Sequence, residues 1–267
     1  MPELPEMETY KLLLQPLIGG QAVTGATINR EKSINIPAEQ FTSLVTNQKI
    51  KGIERRAKYL VFRLQNGSCL LLHLMLGGRM FFGKEEDRPD RTVQVQLSFE
   101  NHHLYFTGLR LGYLHLLSLE MIQQEFQHIG PEPLDQHFSF HTFENILKDR
   151  KGGLKTTLLN QEVIAGIGNR YSDEILWHAQ LLPERKINEL DHDDLVRLYK
   201  SIQYILQQGI QQGGYMEEPL FKGDLKTGGY DMYVHSHEGE NCRRCHSTIV
   251  MKEISSRKAY FCQSCQH

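Results

Sequence analysis

The sequence predicts an α+β protein in three consecutive parts: an antiparallel β-sandwich with flanking helices, a helical middle, and a C-terminal β-hairpin rich in cysteine. Three observations predict it. From about residue 15 to 118 the chain runs in short alternating or apolar segments broken by turn residues. After the tract HIGPEPLDQHFS, whose two prolines mark a boundary, the apolar residues recur at i, i+3 or i+4. Four of the five cysteines then fall within the last 26 residues. At 267 residues, 40% hydrophobic and 23% charged, the chain is an ordinary globular composition with enough length for more than one core.

Element by element, PEMETYKLLLQPLIG reads as a helix ending at Gly19-Gly20, glycine being the residue that most easily leaves a helix. AVTGATIN, KYLVFRL followed by the turn QNGS, SCLLLHLML, TVQVQLSF and HLYFTGL read as strands. Cys69, alone in SCLLLHLML, reads as a small buried hydrophobe. In IERRAKYLVF, Lys58 follows two arginines and precedes an apolar strand, a pattern that on its own suits a solvated strand edge. HTFENILKDR, KTTLLNQEVI, SDEILWHAQLL and DHDDLVRLYKSIQYILQQGIQQ carry the helical period. Between two of them, AGIGN sets glycines just before Asn169, which leaves backbone N–H groups at a helix N-terminus in a geometry suited to phosphate. It is no dinucleotide fingerprint, because no strand precedes it and G-x-G-x-x-G is absent. GGYMEEPLFKGDLKTGGYDMY is a long polar loop.

Cys242, Cys245, Cys262 and Cys265 stand as C-x2-C-x16-C-x2-C. Each pair chelates from one tight turn and the intervening hairpin closes the ring, as in a tetrahedral thiolate zinc site; four protein ligands leave no open position, so the expected Zn2+ is single and structural. Two disulfides are the alternative, disfavoured in a reducing compartment. In SSRKAYF, between the ligand pairs, Arg257 is expected exposed at the hairpin tip, either as plain surface or as a supported cation. Net charge is −2, but the last 26 residues carry five Lys/Arg against Glu253 alone, so this end is locally basic. No stretch approaches the roughly 20 apolar residues that span a bilayer, and PELPEMETYK is unlike a signal peptide, so a cytoplasmic protein is expected.

The opening MPELPEMETY admits two readings: a frayed end, or a proline placed so that removal of Met1 exposes the secondary amine of Pro2 as a nucleophile. PELPE, RRAKYL, GPEPL, LLNQEVIAGIGNRYSDEIL and the terminal C-x2-C-x16-C-x2-C ending CQH occur in one order along the whole chain. In these motifs the sequence resembles the formamidopyrimidine-DNA glycosylase and endonuclease VIII family of base-excision repair enzymes. The resemblance implies an N-terminal β-sandwich catalytic domain (1–130), a helix-two-turn-helix DNA-binding domain with the lesion loop (131–235) and a zinc finger (236–267).

By the same resemblance Pro2 attacks C1′ of the damaged nucleotide, Glu3 shuttles protons, Lys58 assists base loss and β-elimination, and Arg257 grips phosphates and serves δ-elimination. Asn169, with Lys155 and Lys151, is implied to bind backbone phosphate. The partner is double-stranded DNA carrying a damaged base, bound by a monomer and so associated with the nucleoid; the base must leave the stack and the gap be filled. Leu76 in HLMLGGRM takes the place of the family's methionine wedge. Arg110 in LRLGYLHL remains for the widowed base, but the phenylalanine wedge is missing from a loop one residue shorter, and Tyr113 substitutes only if that loop rearranges. The base-gripping loop, roughly 215–230, matches neither branch. The lesion therefore stays open among oxidised purines, oxidised pyrimidines and bulky alkyl adducts. A binder of distorted DNA that does not cut is the other class, against which stands the presence of Pro2, Glu3, Lys58 and Arg257 together.

Overall fold

A computed structural model describes residues 1–267, which divide into two compact units: Met1–Gln127 with Met216–Gly229, and His128–Tyr215 with Tyr230–His267. In the first unit, α1 (Leu4–Ile18) ends at Gly19 as expected. It is followed by β1 (Gly25–Ile28), α2 (Ala38–Val45), β2 (Ile50–Arg56), β3 (Tyr59–Leu64), β4 (Cys69–His73), β5 (Arg79–Gly83), β6 (Val93–Phe99), β7 (His102–Thr107), β8 (Tyr113–Leu117) and α3 (Leu119–Phe126). The strands make two four-stranded antiparallel sheets, ordered β1-β6-β7-β5 and β2-β3-β4-β8.

Phe62 and Leu72 from one sheet meet Leu97, Leu104 and Phe106 from the other in a core that also takes Met7, Leu14 and Ile18 of α1. Each such side chain contributes roughly 1.5–3 kcal/mol by leaving water. β4 lacks alternation because its second face is covered too: Cys69 and Leu71 pack with Ile122 of α3, which bears out the reading of Cys69 as a buried hydrophobe. β5 is a sheet edge, and Met216–Gly229 lies along it. The Phe82 N–H donates to Leu220 O at 2.6 Å, Phe82 and Phe221 form a parallel bridge, and Leu220 is fully buried in the core.

The second unit holds α4 (Phe140–Leu147), α5 (Leu154–Leu159), α6 (Asn169–His178), α7 (His192–Gln211) and the hairpin β9 (Val250–Ile254) and β10 (Arg257–Phe261). Ser139 and Asp191 cap α4 and α7 through their side chains, at 3.1 and 2.8 Å. α5 is shorter than the apolar pattern KTTLLNQEVI suggests, because Asn160 turns the chain and accepts the Glu162 N–H on its own side chain at 2.9 Å. The turns joining α5 to α6 are held from within by Gln161, whose amide donates to Ile167 O at 2.8 Å and accepts from Gly166 N at 2.9 Å. Gly166 sits at φ +83, the left-handed region glycine favours.

Candidate active site and metal centre

In the first unit, Pro2 is buried immediately ahead of α1 and Glu3 is its N-cap residue. Prolines and glutamates suit this start: a fixed φ and a missing N–H cost little in the first turn, and the Glu6 carboxylate accepts the Glu3 N–H at 2.8 Å. Glu3 is only 3% exposed and Glu6 1%. Lys58 occupies the tight β2–β3 turn after Ala57, which adopts φ +51, and is 7% exposed. It is therefore buried, not the solvated edge residue that its charged surroundings suggested. Taking a carboxylate and an ammonium out of water is costly and requires surroundings that hold them, which makes both candidates for a functional site.

His73, which sequence reasoning passed over, belongs beside Lys58. Its strand register sets it opposite Tyr59, with ring centroids 4.2 Å apart. Burial, reinforced by the charge of Lys58, pushes its pKa down to about 4, so the imidazole is neutral near pH 7. Its Nε2 is buried without a hydrogen-bond partner. The signal was the histidine that breaks an otherwise apolar run in SCLLLHLML.

Two loops of the same unit present a group of exposed side chains. Leu76 follows β4, and Arg110 and Leu111 lie between β7 and β8; Leu76 is 66% exposed and Leu111 62%. The loops touch backbone to backbone: a Cβ on Gly108 would stand 2.0 Å from Gly77 O, and one on Gly112 would stand 2.5 Å from His73 O. Arg30 adds hydrogen bonds to the carbonyls of Leu109 and Arg110, at 3.2 and 3.3 Å. Tyr113 is no stand-in for the missing phenylalanine. It is the first residue of β8, paired with His73 and stacked on His115 at 4.0 Å. The exposed apolar residue on this loop is Leu111, which the sequence reading missed by looking for an aromatic.

In the second unit, Asn169 opens α6 behind Gly168, which has no side chain with which to cap. The Asn169 amide donates to Lys258 O on β10 at 2.9 Å, tying the helix start to the hairpin. Lys151 is exposed just before α5. The expectation that Lys155 touches phosphate as a point charge needs correction. Its side chain is fully buried, and its ammonium donates to Asp173 Oδ1 at 2.5 Å, Ser172 Oγ at 3.1 Å and the Asn169 carbonyl at 3.2 Å. All three protons have protein acceptors, so Lys155 positions Asn169 from behind. Asp173 is also bonded to His235 Nδ1 at 2.7 Å. Arg257 is exposed directly after the turn at Ser255 and Ser256, both in left-handed conformation, as expected for the tip of the hairpin.

The structure brings all four hairpin cysteines together, with their Sγ atoms within 4.8 Å of one another. Cys242 to Cys265 is 3.7 Å and Cys245 to Cys262 is 3.4 Å. Tetrahedral zinc thiolates with bonds of about 2.3 Å put sulfurs roughly 3.8 Å apart, so this set can hold one such ion. Burial works against the charge of Cys242, but the Trp177 indole N–H, 3.3 Å away, and neighbouring backbone N–H groups outweigh it and bring the thiol to about 6. A thiolate there suits metal ligation. The Arg244 guanidinium lies over the same Trp177, 4.2 Å from the ring.

Residues 1–113 match the formamidopyrimidine-DNA glycosylase N-terminal domain and residues 129–219 the H2TH domain of the same enzymes. The chain belongs to the formamidopyrimidine-DNA glycosylase family. It is 33% identical over 273 residues to the formamidopyrimidine-DNA glycosylase of Pelotomaculum thermopropionicum, covering 100% of this chain and 99% of that one. With the corresponding enzyme of Protochlamydia amoebophila it shares 35% over 276 residues, again 100% and 99% of the two chains. Among solved structures, wild-type Lactococcus lactis Fpg in complex with DNA containing N7-benzyl-Fapy-dG matches with TM-score 0.91 and 30% identity over 100% of both chains. The Lactococcus lactis Fpg complex with abasic-site DNA matches with TM-score 0.92 and 30% identity over 99% of both. The activity class follows from membership: a base-excision DNA glycosylase with AP-lyase activity. The sandwich, the helical domain and the cysteine hairpin are those the sequence led us to expect. No helix is long and apolar enough to cross a membrane.

Proposed function

We propose that this protein, acting as a monomer on double-stranded DNA, extrudes a damaged base and removes it through an imine on Pro2. Once Met1 is removed, the Pro2 nitrogen is a secondary amine that attacks C1′; the base departs with a proton, and the ring-opened sugar remains as an iminium. Glu3, withdrawn from water beside Pro2, moves protons between the amine and the sugar oxygen. Lys58 offsets negative charge developing during base loss and β-elimination, which breaks the 3′ C–O bond; Arg257 holds the flanking phosphate through δ-elimination at the 5′ side, and hydrolysis frees Pro2. Asn169 and Lys151 contact backbone phosphate, with Lys155 behind Asn169. Leu76 and Leu111 fill the vacated space and Arg110 pairs with the widowed base. Cys242, Cys245, Cys262 and Cys265 hold one structural Zn2+ that keeps the Arg257 hairpin folded. In this division of labour residues 1–130 carry the chemistry, 131–235 the DNA grip, and 236–267 the finger, except that the lesion loop expected within 131–235 packs with the first unit over Met216–Gly229. DNA binding places the protein at the cytoplasmic nucleoid.

We favour oxidised and ring-opened purines, bulky N7-alkyl derivatives included, because the relatives are named for formamidopyrimidine and one solved neighbour holds the N7-benzyl form. The observation that carries the reading is Pro2 at the start of α1, followed by a carboxylate that is 3% exposed. Borohydride trapping tests it, with the N-terminus checked by mass spectrometry and duplexes carrying 8-oxoguanine, formamidopyrimidine, thymine glycol, dihydrouracil, a bulky alkyl adduct or an abasic site. A covalent complex is expected for the wild type, and none for Pro2→Gly, which still binds DNA. Full trapping by Pro2→Gly would sink the assigned nucleophile.

A further inference from the structure

The segment Met216–Gly229 is organised from within. Asp224 accepts from the backbone N–H groups of Leu220, Lys226 and Thr227 at 2.9, 2.8 and 3.1 Å and from the Thr227 hydroxyl at 2.6 Å. Leu220 anchors its middle in the sandwich core, and Gly228, at φ +89, allows close approach to Glu217, since a Cβ there would stand 2.7 Å from the Glu217 Cα. Leu225 is left almost fully exposed, at 98%, on the turn that Asp224 shapes. The residues ahead of Leu220 have a different tether. The Glu218 carboxylate pairs with the Arg79 guanidinium through one oxygen and with Arg91 Nη2, at 3.1 Å, through the other.

Both arginines lie at one end of the sheet β1-β6-β7-β5. Arg79 opens β5 and is paired with Thr107 at the end of β7; Val93, two residues after Arg91, is paired with the same Thr107. Arg79 follows the Leu76–Gly78 loop directly, and Thr107 leads directly into the Gly108–Gly112 loop. One carboxylate therefore joins the segment to the strand ends that carry Leu76, Arg110 and Leu111. A cavity of about 220 Å³ lies at this junction, bounded by Arg79, Arg91, Thr107 and Glu218. The segment also touches the helix that follows Pro2: Met216 Sδ accepts from the hydroxyl of Tyr10, midway along α1, at 3.9 Å.

We propose that Glu218 is a positioning residue for base removal, latching the lesion segment to the gap-filling loops so that the two move on DNA as one body. The proposal rests on the glycosylase reading above. Base removal requires the extruded base to be held while the gap is filled, whereas elimination at an existing abasic site has no base to hold. Loss of the latch therefore separates the two activities. Leu220 and Asp224 still fold the segment when Glu218 is replaced, so the variant keeps its fold.

The experiment compares wild type, Glu218→Gln, Glu218→Ala and Arg79→Gln in single-turnover base release from a formamidopyrimidine duplex, and in strand cleavage of a preformed abasic duplex. Base release is expected to fall roughly tenfold in Glu218→Ala and less in Glu218→Gln, with abasic cleavage within about twofold of wild type and thermal melting unchanged. Arg79→Gln combined with Glu218→Ala should lose less than the product of the single effects, because both break one tether. Base release unaffected by Glu218→Ala, or both activities falling equally, overturns the latch. A wild type that releases no base from any duplex of the trapping panel and cleaves no abasic duplex overturns the glycosylase reading instead.

Discussion

Replacing Lys155 by Met separates a buried positioning residue from a phosphate contact. The substitution keeps most of the side-chain volume and removes the charge. It leaves the Asp173 carboxylate, fully buried, without the ammonium 2.5 Å away and with the hydrogen bond to His235 Nδ1, at 2.7 Å, still in place. Breaking a buried pair from one side costs about 3–5 kcal/mol, since the surviving charge has lost its compensation. For a chain of this size each kcal/mol lowers the melting temperature by about 2–4 °C, so a fall on the order of 10 °C is expected in calorimetry. Lys155→Met/Asp173→Leu should recover part of that loss, because a buried pair removed together leaves less unsatisfied than one removed alone. Lys151→Ala is the counterpart. Lys151 is exposed, so stability should stay within about 0.5 kcal/mol of wild type. The log–log salt dependence of DNA binding should become shallower by about 0.9, one phosphate contact fewer. A Lys155→Met variant of wild-type melting temperature whose salt slope is shallower by one contact would refute the buried assignment.

Three other expectations are open to simple measurements. The proposed zinc site predicts that chelation with verified metal loss weakens DNA binding while leaving the melting of the β-sandwich unit unchanged, because a hairpin folded around such an ion loses its fold with it; unaltered binding by the metal-free protein would contradict this. His73 has its pKa lowered in the native state, first by burial and then by Lys58, to about 4 from 6.5, so below pH 6.5 the unfolded chain binds the proton that the native one refuses. Stability should therefore fall with acidification between pH 6.5 and 4, by up to about 1.4 kcal/mol per pH unit from this group, and His73→Gln should flatten that slope in urea titrations; an unchanged slope would show that His73 protonates freely in the fold. Leu111→Ala, at an exposed position, should leave stability unchanged and slow base release more than abasic cleavage, and equal release rates would remove Leu111 from the gap-filling group.

What the sequence disclosed and what it withheld divide along one physical line. Features set by local chemistry were legible: the glycine stop after α1, the strand segments, the cysteine spacing, and the Ser255-Ser256 turn that exposes Arg257. Features set by a partner distant in the chain were not. Lys155 looks like any surface lysine until Asp173 is folded against it, and Lys58 looks like an edge charge until the strands fold together and bring His73 within reach of its charge. Segment 216–229 reads as a loop because its order comes from one buried leucine, one aspartate and one carboxylate shared by two arginines more than 120 residues earlier. Met216, Leu220 and Phe221 are too few to set up a sustained period, so no pattern could announce Leu220 as core. The same reasoning explains the missed Leu111. A search for an aromatic wedge is a search for a residue type, whereas what prying a base step apart requires is an apolar side chain on a rigid support. Glycines packed backbone to backbone across two loops supply that support to Leu111, and the letter alone does not reveal it.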